Sequence, residues 1–208
     1  MGRIANKAAP KWKKLFIALL VLNLAVIVFI IFLVFGPVKE NPLPKGAEQE
    51  PGKNSEFIVR STKDNLNQTI NAYLDNLVGQ NNYRYQVILD EDVHLRGEVP
   101  VFSSTLPVSV HLEPFVQDNG DVILKLKEVS LGMLELPNKR IMEYIDEHMP
   151  KPEWVTINPR SEEIYVALTK MKIKSNFHVR AEHIDLKANN IAFKLYVPYK
   201  ELGIEKEE

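Results

Sequence analysis

From Leu15 to Phe35 the chain is apolar at every position except Asn23. At 1.5 Å per residue, a helix over this run spans roughly 30 Å, the thickness of a bilayer core. The apolar part of a signal peptide is usually only about 7–15 residues and ends at a small-residue cleavage site. Here the run ends Phe35-Gly36-Pro37, with no Ala-x-Ala pattern, so the expectation is an uncleaved transmembrane helix. A single Asn is tolerated in such helices. Trp12 suits an interfacial anchor.

Two later stretches carry helical periodicity. Ser61 is a good N-cap with Asp64 three residues on, and Leu66, Ile70, Tyr73, Leu74 and Leu77 then share one face up to Gly79. A second helix is expected after Pro137-Asn138, with Ile141, Met142, Ile145 and Met149 inward and Pro150 and Pro152 as stops.

Most of the remainder alternates with period two. The sets are Tyr83 to Leu89, Val93 to Val99, Leu106 to Leu112, Val122 to Leu126, Ile164 to Leu168, Val179 to Leu186 and Ile191 to Val197. Asn119-Gly120 is a hairpin turn signal. The alternation slips phase between Leu126 and Val129 and again near His183, which predicts β-bulges. One apolar and one polar face per strand is the mark of an antiparallel sheet. The expected fold is therefore α+β: an N-terminal transmembrane helix, then a curled, mainly antiparallel sheet packed on two helices. Seven strands at about 4.8 Å make a sheet over 30 Å wide, and two helices cover only about 20 Å of it. The uncovered apolar face has to close on itself, meet a partner or hold an apolar ligand.

Charge gives the orientation. Arg3, Lys7, Lys11, Lys13 and Lys14 precede the apolar run, and no acidic residue does. By the positive-inside rule the N-terminus is cytoplasmic and the rest is extracytoplasmic. Of the 26 Lys and Arg, 21 remain beyond the helix against all 27 Asp and Glu, an acidic balance that argues against nucleic-acid binding. Gly36 to Asn54 is rich in proline, glycine and charge and reads as a flexible tether. The expected organisation is 1–14 basic cytoplasmic end, 15–35 transmembrane helix, 36–54 tether, 55–200 extracytoplasmic α+β domain and 201–208 charged tail.

The chain has no cysteine, so disulfides, thiolate metal sites and a lipid-modified cysteine are excluded. It carries no Gly-x-Ser-x-Gly, His-Glu-x-x-His or phosphate-binding glycine loop. Asp90-Glu91-Asp92 is the densest acidic cluster and sits between two strands, where a solvated turn is the default. His94 and His111 fall on polar strand faces and are expected to be exposed. His178 and His183, five apart on one strand, face opposite sides unless a bulge intervenes. Asn67-Gln68-Thr69 matches a glycosylation sequon, but in mid-helix it carries no weight. No catalytic residue, metal or cofactor is expected.

Several segments together resemble the YpmS-like family of membrane-anchored proteins from Gram-positive bacteria. They are KWKKLFIALLVLN (Lys11 to Asn23), STKDNLNQTINAYL (Ser61 to Leu74), YQVILDEDVHLRGEV (Tyr85 to Val99), NGDVILKLKEVSLGMLELP (Asn119 to Pro137) and the strands ending VPYK (Val197 to Lys200). The resemblance implies a short cytoplasmic end, one helix and an extracytoplasmic domain, and brings no catalytic residues. More loosely, a helix with a curled sheet is similar to tubular lipid-binding folds, an architectural likeness that does not dictate function.

The leading expectation is a non-enzymatic protein, anchored through Leu15 to Phe35, that binds lipid or another amphiphile at the outer membrane face. Its candidate lining is Val108, Val110, Leu124, Leu126, Val166, Leu168, Phe193 and Leu195, all inward by alternation. The alternatives are an accessory or scaffold subunit that contacts another cell-envelope protein and, third, an envelope hydrolase.

Overall fold

The computed structural model describes residues 11–43, 54–78, 84–101, 104–133, 136–171, 173 and 176–203. The expectations for the basic residues 1–10, tether residues 44–53, Gly79, Tyr83 and tail residues 205–208 lie outside them. The chain divides into two compact units, one ending at Pro37 and one beginning at Val38.

The first unit is helix α1, Lys11–Phe35. Its side chains are exposed all round, and Trp12–Phe35 is long and apolar enough to cross a membrane. Asn23 turns its amide back on the helix and donates to the Leu19 carbonyl at 3.0 Å, so it satisfies itself without a partner helix.

The second unit is α+β, but the single curled sheet gives way to two antiparallel sheets, neither strongly curled. A three-stranded sheet has the order β1 (Asn54–Ser61), β9 (Asn190–Pro198), β8 (His178–Asp185). A six-stranded sheet runs β2 (Arg84–Leu89), β3 (Val93–Val101), β4 (Ser104–Val116), β5 (Val122–Leu131), β7 (Glu163–Val166), β6 (Val155–Asn158). The split arises because β1, which the alternating pattern did not announce, pairs along its whole length with β9. The final hairpin is thereby drawn into its own sheet. Leu168 does not extend β7; it opens a short 3-10 turn, Leu168–Lys170.

Both expected phase slips are bulges. Between β4 and β5, Leu112 pairs with Leu126 and His111 with Glu128, so Lys127 is the extra residue. Between β8 and β9, Ala181 pairs with Phe193 and His183 with Ala192, which leaves Glu182 over. The Asn119-Gly120 turn joins β4 to β5, with the Gly120 N–H donating to the Gln117 carbonyl at 2.8 Å. Gly120 has φ 84°, the left-handed region that glycine enters freely. An added Cβ there would stand 2.5 Å from Arg180 Cβ.

Helix α2 spans Lys63–Val78, and its cap is Thr62 rather than Ser61: the Asn65 N–H donates to Thr62 Oγ1 at 3.3 Å. Ser61, the last β1 residue and paired with Ile191, instead accepts from the Asn65 side-chain amide at 3.0 Å. Helix α2 closes the open edge of β2 with two side chains one turn apart. Asn71 accepts from the Val87 N–H (2.9 Å) and donates to the Val87 carbonyl (2.7 Å). Asn67 does the same for Leu89, at 2.7 and 3.3 Å. Each amide imitates one residue of a neighbouring strand, which satisfies and blunts the edge.

Helix α3, Asn138–His148, buries Ile141, Met142 and Ile145. These residues join Val108, Val110, Leu112, Leu186 and Ile191 in one core drawn from both sheets. Residues just after Pro37 hydrogen-bond to this unit. Lys39 Nζ meets Glu147 of α3 at 2.5 Å, Asn41 Nδ2 donates to the Ile157 carbonyl at 2.7 Å, and Glu40 pairs with Arg160.

Candidate functional site

The core is incompletely filled. An apolar cavity of about 480 Å³ lies inside the second unit, lined from α2, α3 and strands of both sheets. Leu66 and Ile70 come from α2, Val87 from β2, Leu95 from β3, Val155 from β6 and Ile184 from β8. These six are only partly buried, while other lining residues, Leu112 of β4 and Ile145 of α3 among them, are buried, and Val110 of β4, outside the lining, is sealed in the core. The helices leave a gap over part of the sheet, and side chains that border it lack partner atoms on that side.

Polar groups stand at few points. Among the described residues that line the cavity Lys151 is the one that carries a charge, and its ammonium pairs with Asp146 at 2.9 Å. Tyr73 and Trp154 also line it, their rings 5.8 Å apart and tilted at 48°. The Tyr85 hydroxyl donates to the Pro150 carbonyl, and burial raises its pKa above the ordinary tyrosine value. A preformed space of this size, apolar with a few polar groups, is the usual form of a site for an apolar small molecule, for which about 300–1,000 Å³ is typical.

Of the eight residues the sequence put forward, Leu124, Val166, Leu168 and Phe193 line this cavity. Val108, Val110, Leu126 and Leu195 lie outside its lining. Alternation correctly set which face Val108 and Val110 occupy, but both are sealed in the core. What periodicity did not reveal is the contribution of α2, whose Leu66, Ile70 and Leu74 face the same space. Their helical spacing was visible; that they face a gap was not.

The opposite face of the six-stranded sheet carries a second group. His94 of β3 and His111 of β4 are register partners, with ring centroids 4.0 Å apart. Contrary to expectation they are mostly covered, their side chains 16% and 29% exposed. Asp92, at the end of the Asp90-Glu91-Asp92 bend, lies beneath them and is buried, while Asp90 and Glu91 face solvent. Lys127, the bulge residue of β5, reaches Asp92 Oδ2 at 2.9 Å. Burial pushes the Asp92 carboxyl up, but the Lys127 hydrogen bond and the nearby charges of His94, Lys127 and His111 outweigh it and hold the pKa below the ordinary value. The sequence signal was Asp-x-His on one strand face, with a second histidine opposite on the next strand.

Residues 10–197 match the family described as "Uncharacterized protein conserved in bacteria (DUF2140)". The chain belongs to this family. It is also similar to "Uncharacterized protein YpmS" of Bacillus subtilis (strain 168), with 34% identity over 188 residues, 90% of this chain and 98% of that protein. The YpmS-like assignment therefore holds over helix α1 and the α+β unit alike. No solved structure matches the chain.

Proposed function

We propose that this DUF2140 protein is a membrane-anchored, extracytoplasmic binder of a lipid or similar amphiphile, with the acyl part held in the cavity between α2 and the sheets. One observation carries the reading: about 480 Å³ of apolar space lined mainly by Leu, Ile, Val and Phe side chains. At about 30 Å³ per water-sized unit this holds roughly sixteen such units, the scale of one acyl chain. Each buried methylene contributes about 0.8 kcal/mol, so twelve give about 10 kcal/mol before ordering costs. Micromolar binding needs about 8 kcal/mol, which leaves a small margin for those costs. Helix α1 supports the anchoring, and the basic residues before it support a cytoplasmic N-terminus.

The test is photo-crosslinking of the full chain in its membrane with a fatty acid that carries a terminal diazirine, followed by peptide mapping. Label is expected on α1, which touches lipid in any case, and also on peptides that contain Ile70, Leu124 or Val166. Leu124→Trp should fill the cavity and abolish the second set while α1 labelling persists. Label confined to α1 in the wild type overturns the proposal.

The accessory-subunit reading has one observation in its favour. Strand β1 is a sheet edge and exposes Phe57, Ile58 and Val59, an arrangement suited to strand addition by another chain. A crosslinker placed at Ile58 in cells should capture a discrete protein adduct if that reading holds, and none if it does not.

A further inference from the structure

The cluster behind the cavity is built from three potential metal ligands, and its geometry departs from that of an ordinary ion pair. Asp92, His94 and His111 each offer one ligand atom, and the three lie within 4.8 Å of one another. The Asp92 side chain is only 9% exposed, and among the described residues Oδ1 has no hydrogen-bond partner. His94 Nε2 lies against that oxygen, but not in line as a donor, and His111 Nδ1 stands 3.5 Å from it. Three potential ligand atoms thus converge on one point. A buried carboxylate oxygen with no hydrogen bond made to it is costly, and a cation at the point of convergence removes that cost.

We propose that Asp92, His94 and His111 bind a divalent transition-metal ion of the zinc type, through one carboxylate oxygen and two imidazole nitrogens. The donor set decides the class of ion. Calcium and magnesium take six or more oxygen ligands, whereas imidazole with carboxylate suits zinc, cobalt, nickel and copper. Tetrahedral zinc with bonds of about 2.0–2.1 Å sets its ligand atoms about 3.4 Å apart. The separation of His111 Nδ1 from Asp92 Oδ1, 3.5 Å, is already close to that edge.

Local structure explains the assembly. His94 and Asp92 lie two residues apart and face the same way. His111 stands opposite His94 across the β3–β4 register. The bulge in β5 turns Lys127 onto Asp92 Oδ2, which leaves Oδ1 free for the metal and fixes the carboxylate as a single-oxygen ligand. Three protein ligands leave a fourth position for water or an exogenous donor, as in zinc sites that act on a bound molecule rather than merely hold a fold. The site lies across the sheet from the apolar cavity, on the alternate residues of β3 and β4, and does not depend on what that cavity holds.

The test uses the full chain in detergent, with an affinity tag free of histidine, stripped with a chelator and titrated with zinc sulfate against a chromophoric competitor. One equivalent per chain is expected. Asp92→Asn, His94→Gln and His111→Gln should each weaken it at least 100-fold, whereas His183→Gln, at an exposed histidine, should leave it unchanged. Cobalt(II) should give a tetrahedral absorption spectrum that the three variants lose. A wild-type melting temperature that rises by several degrees at a hundredfold excess of zinc over Kd supports the site even if a ligand variant fails to fold. No stoichiometric zinc, an unshifted wild-type melt, or equal loss in His183→Gln overturns it.

Discussion

Replacement of Asn71 by leucine tests whether side-chain amides hold the β2 edge. The residue makes two bonds to Val87, at 2.9 and 2.7 Å, plus one to the Asn67 carbonyl at 2.8 Å, and is partly buried. Each bond contributes about 0.5–1.5 kcal/mol net, and a backbone group left without a partner or water costs about 1–3 kcal/mol. Partial access of water to Val87 removes part of that penalty, and the leucine recovers about 1 kcal/mol by apolar burial. The expected loss is about 2 kcal/mol. For a domain of this size each kcal/mol shifts the melting temperature by about 2–4 °C, so a drop of about 4–8 °C follows. Hydrogen exchange gives the local readout: the Val87 amide should lose protection while Leu89, held by Asn67, keeps most of its own. Asn71→Asp retains the acceptor and loses the donor, so it should fall between wild type and leucine. Asn76, whose exposed amide returns only to the Ala72 carbonyl, is the control. An unchanged melt with Val87 still protected would refute the argument, as would an equal loss in Asn76→Leu.

Gly120→Ala should destabilise by about 1–3 kcal/mol from its φ of 84° alone, with more from the clash on Arg180. Adding Arg180→Ala should recover only the clash, as thermal melts of the single and double variants would show. Asn41→Ala removes bonds to the Ile157 carbonyl and to Asp146, and should lower the melting temperature by a few degrees and speed proteolysis just after Pro37. Burial raises the Tyr85 pKa; burial and then the hydrogen bond to Asp121 raise that of Tyr165. Folding thus favours the protonated phenols. Their contribution is complete below about pH 10 and is lost as pH rises through the higher folded values, so Tyr165→Phe should flatten the alkaline fall in stability.

Much of the fold was legible because one face of each element had to be apolar. Among the described residues, helices α2 and α3, seven of the nine strands and both bulges follow from that rule. The strands it missed have separate causes. In β1, Phe57, Ile58 and Val59 are consecutive and exposed, so no period-two signal exists. Strand β6 offers only two alternating apolar positions, Val155 and Ile157, where Ile164, Val166 and Leu168 announced the equally short β7. The division into two sheets depends on the pairing of β1 with β9, a contact between chain ends that no local pattern encodes. The candidate site was half legible for a related reason. Alternation says which side chains point inward, and Val110 and Leu124 both do. Which of them meets another side chain and which meets empty space depends on where α2 and α3 sit.

The bulge at Lys127 shows how one strand serves both faces. In a regular strand, the inward residues Val122, Leu124 and Leu126 would be followed inward by Glu128 and Ser130, which would bury a charge. The extra residue resets the phase, so that Val129 and Leu131 point inward opposite Val110 and Val108. That reset keeps the core apolar. It also places two successive side chains, Lys127 and Glu128, outside the core, and one of them reaches across to Asp92. Deletion of Lys127 would remove both effects together. Either the N-terminal or the C-terminal half of β5 would be inverted, because a one-residue slip exchanges the faces of everything beyond it. Lys127→Met is far milder: it keeps the bulge and the core register and removes only the charge held against Asp92. The deletion should therefore abolish folding, while the methionine variant should stay folded with a changed environment at Asp92. The separation of those two outcomes, read by circular dichroism and by thermal melting, is what an inserted residue predicts and what a merely favourable lysine does not.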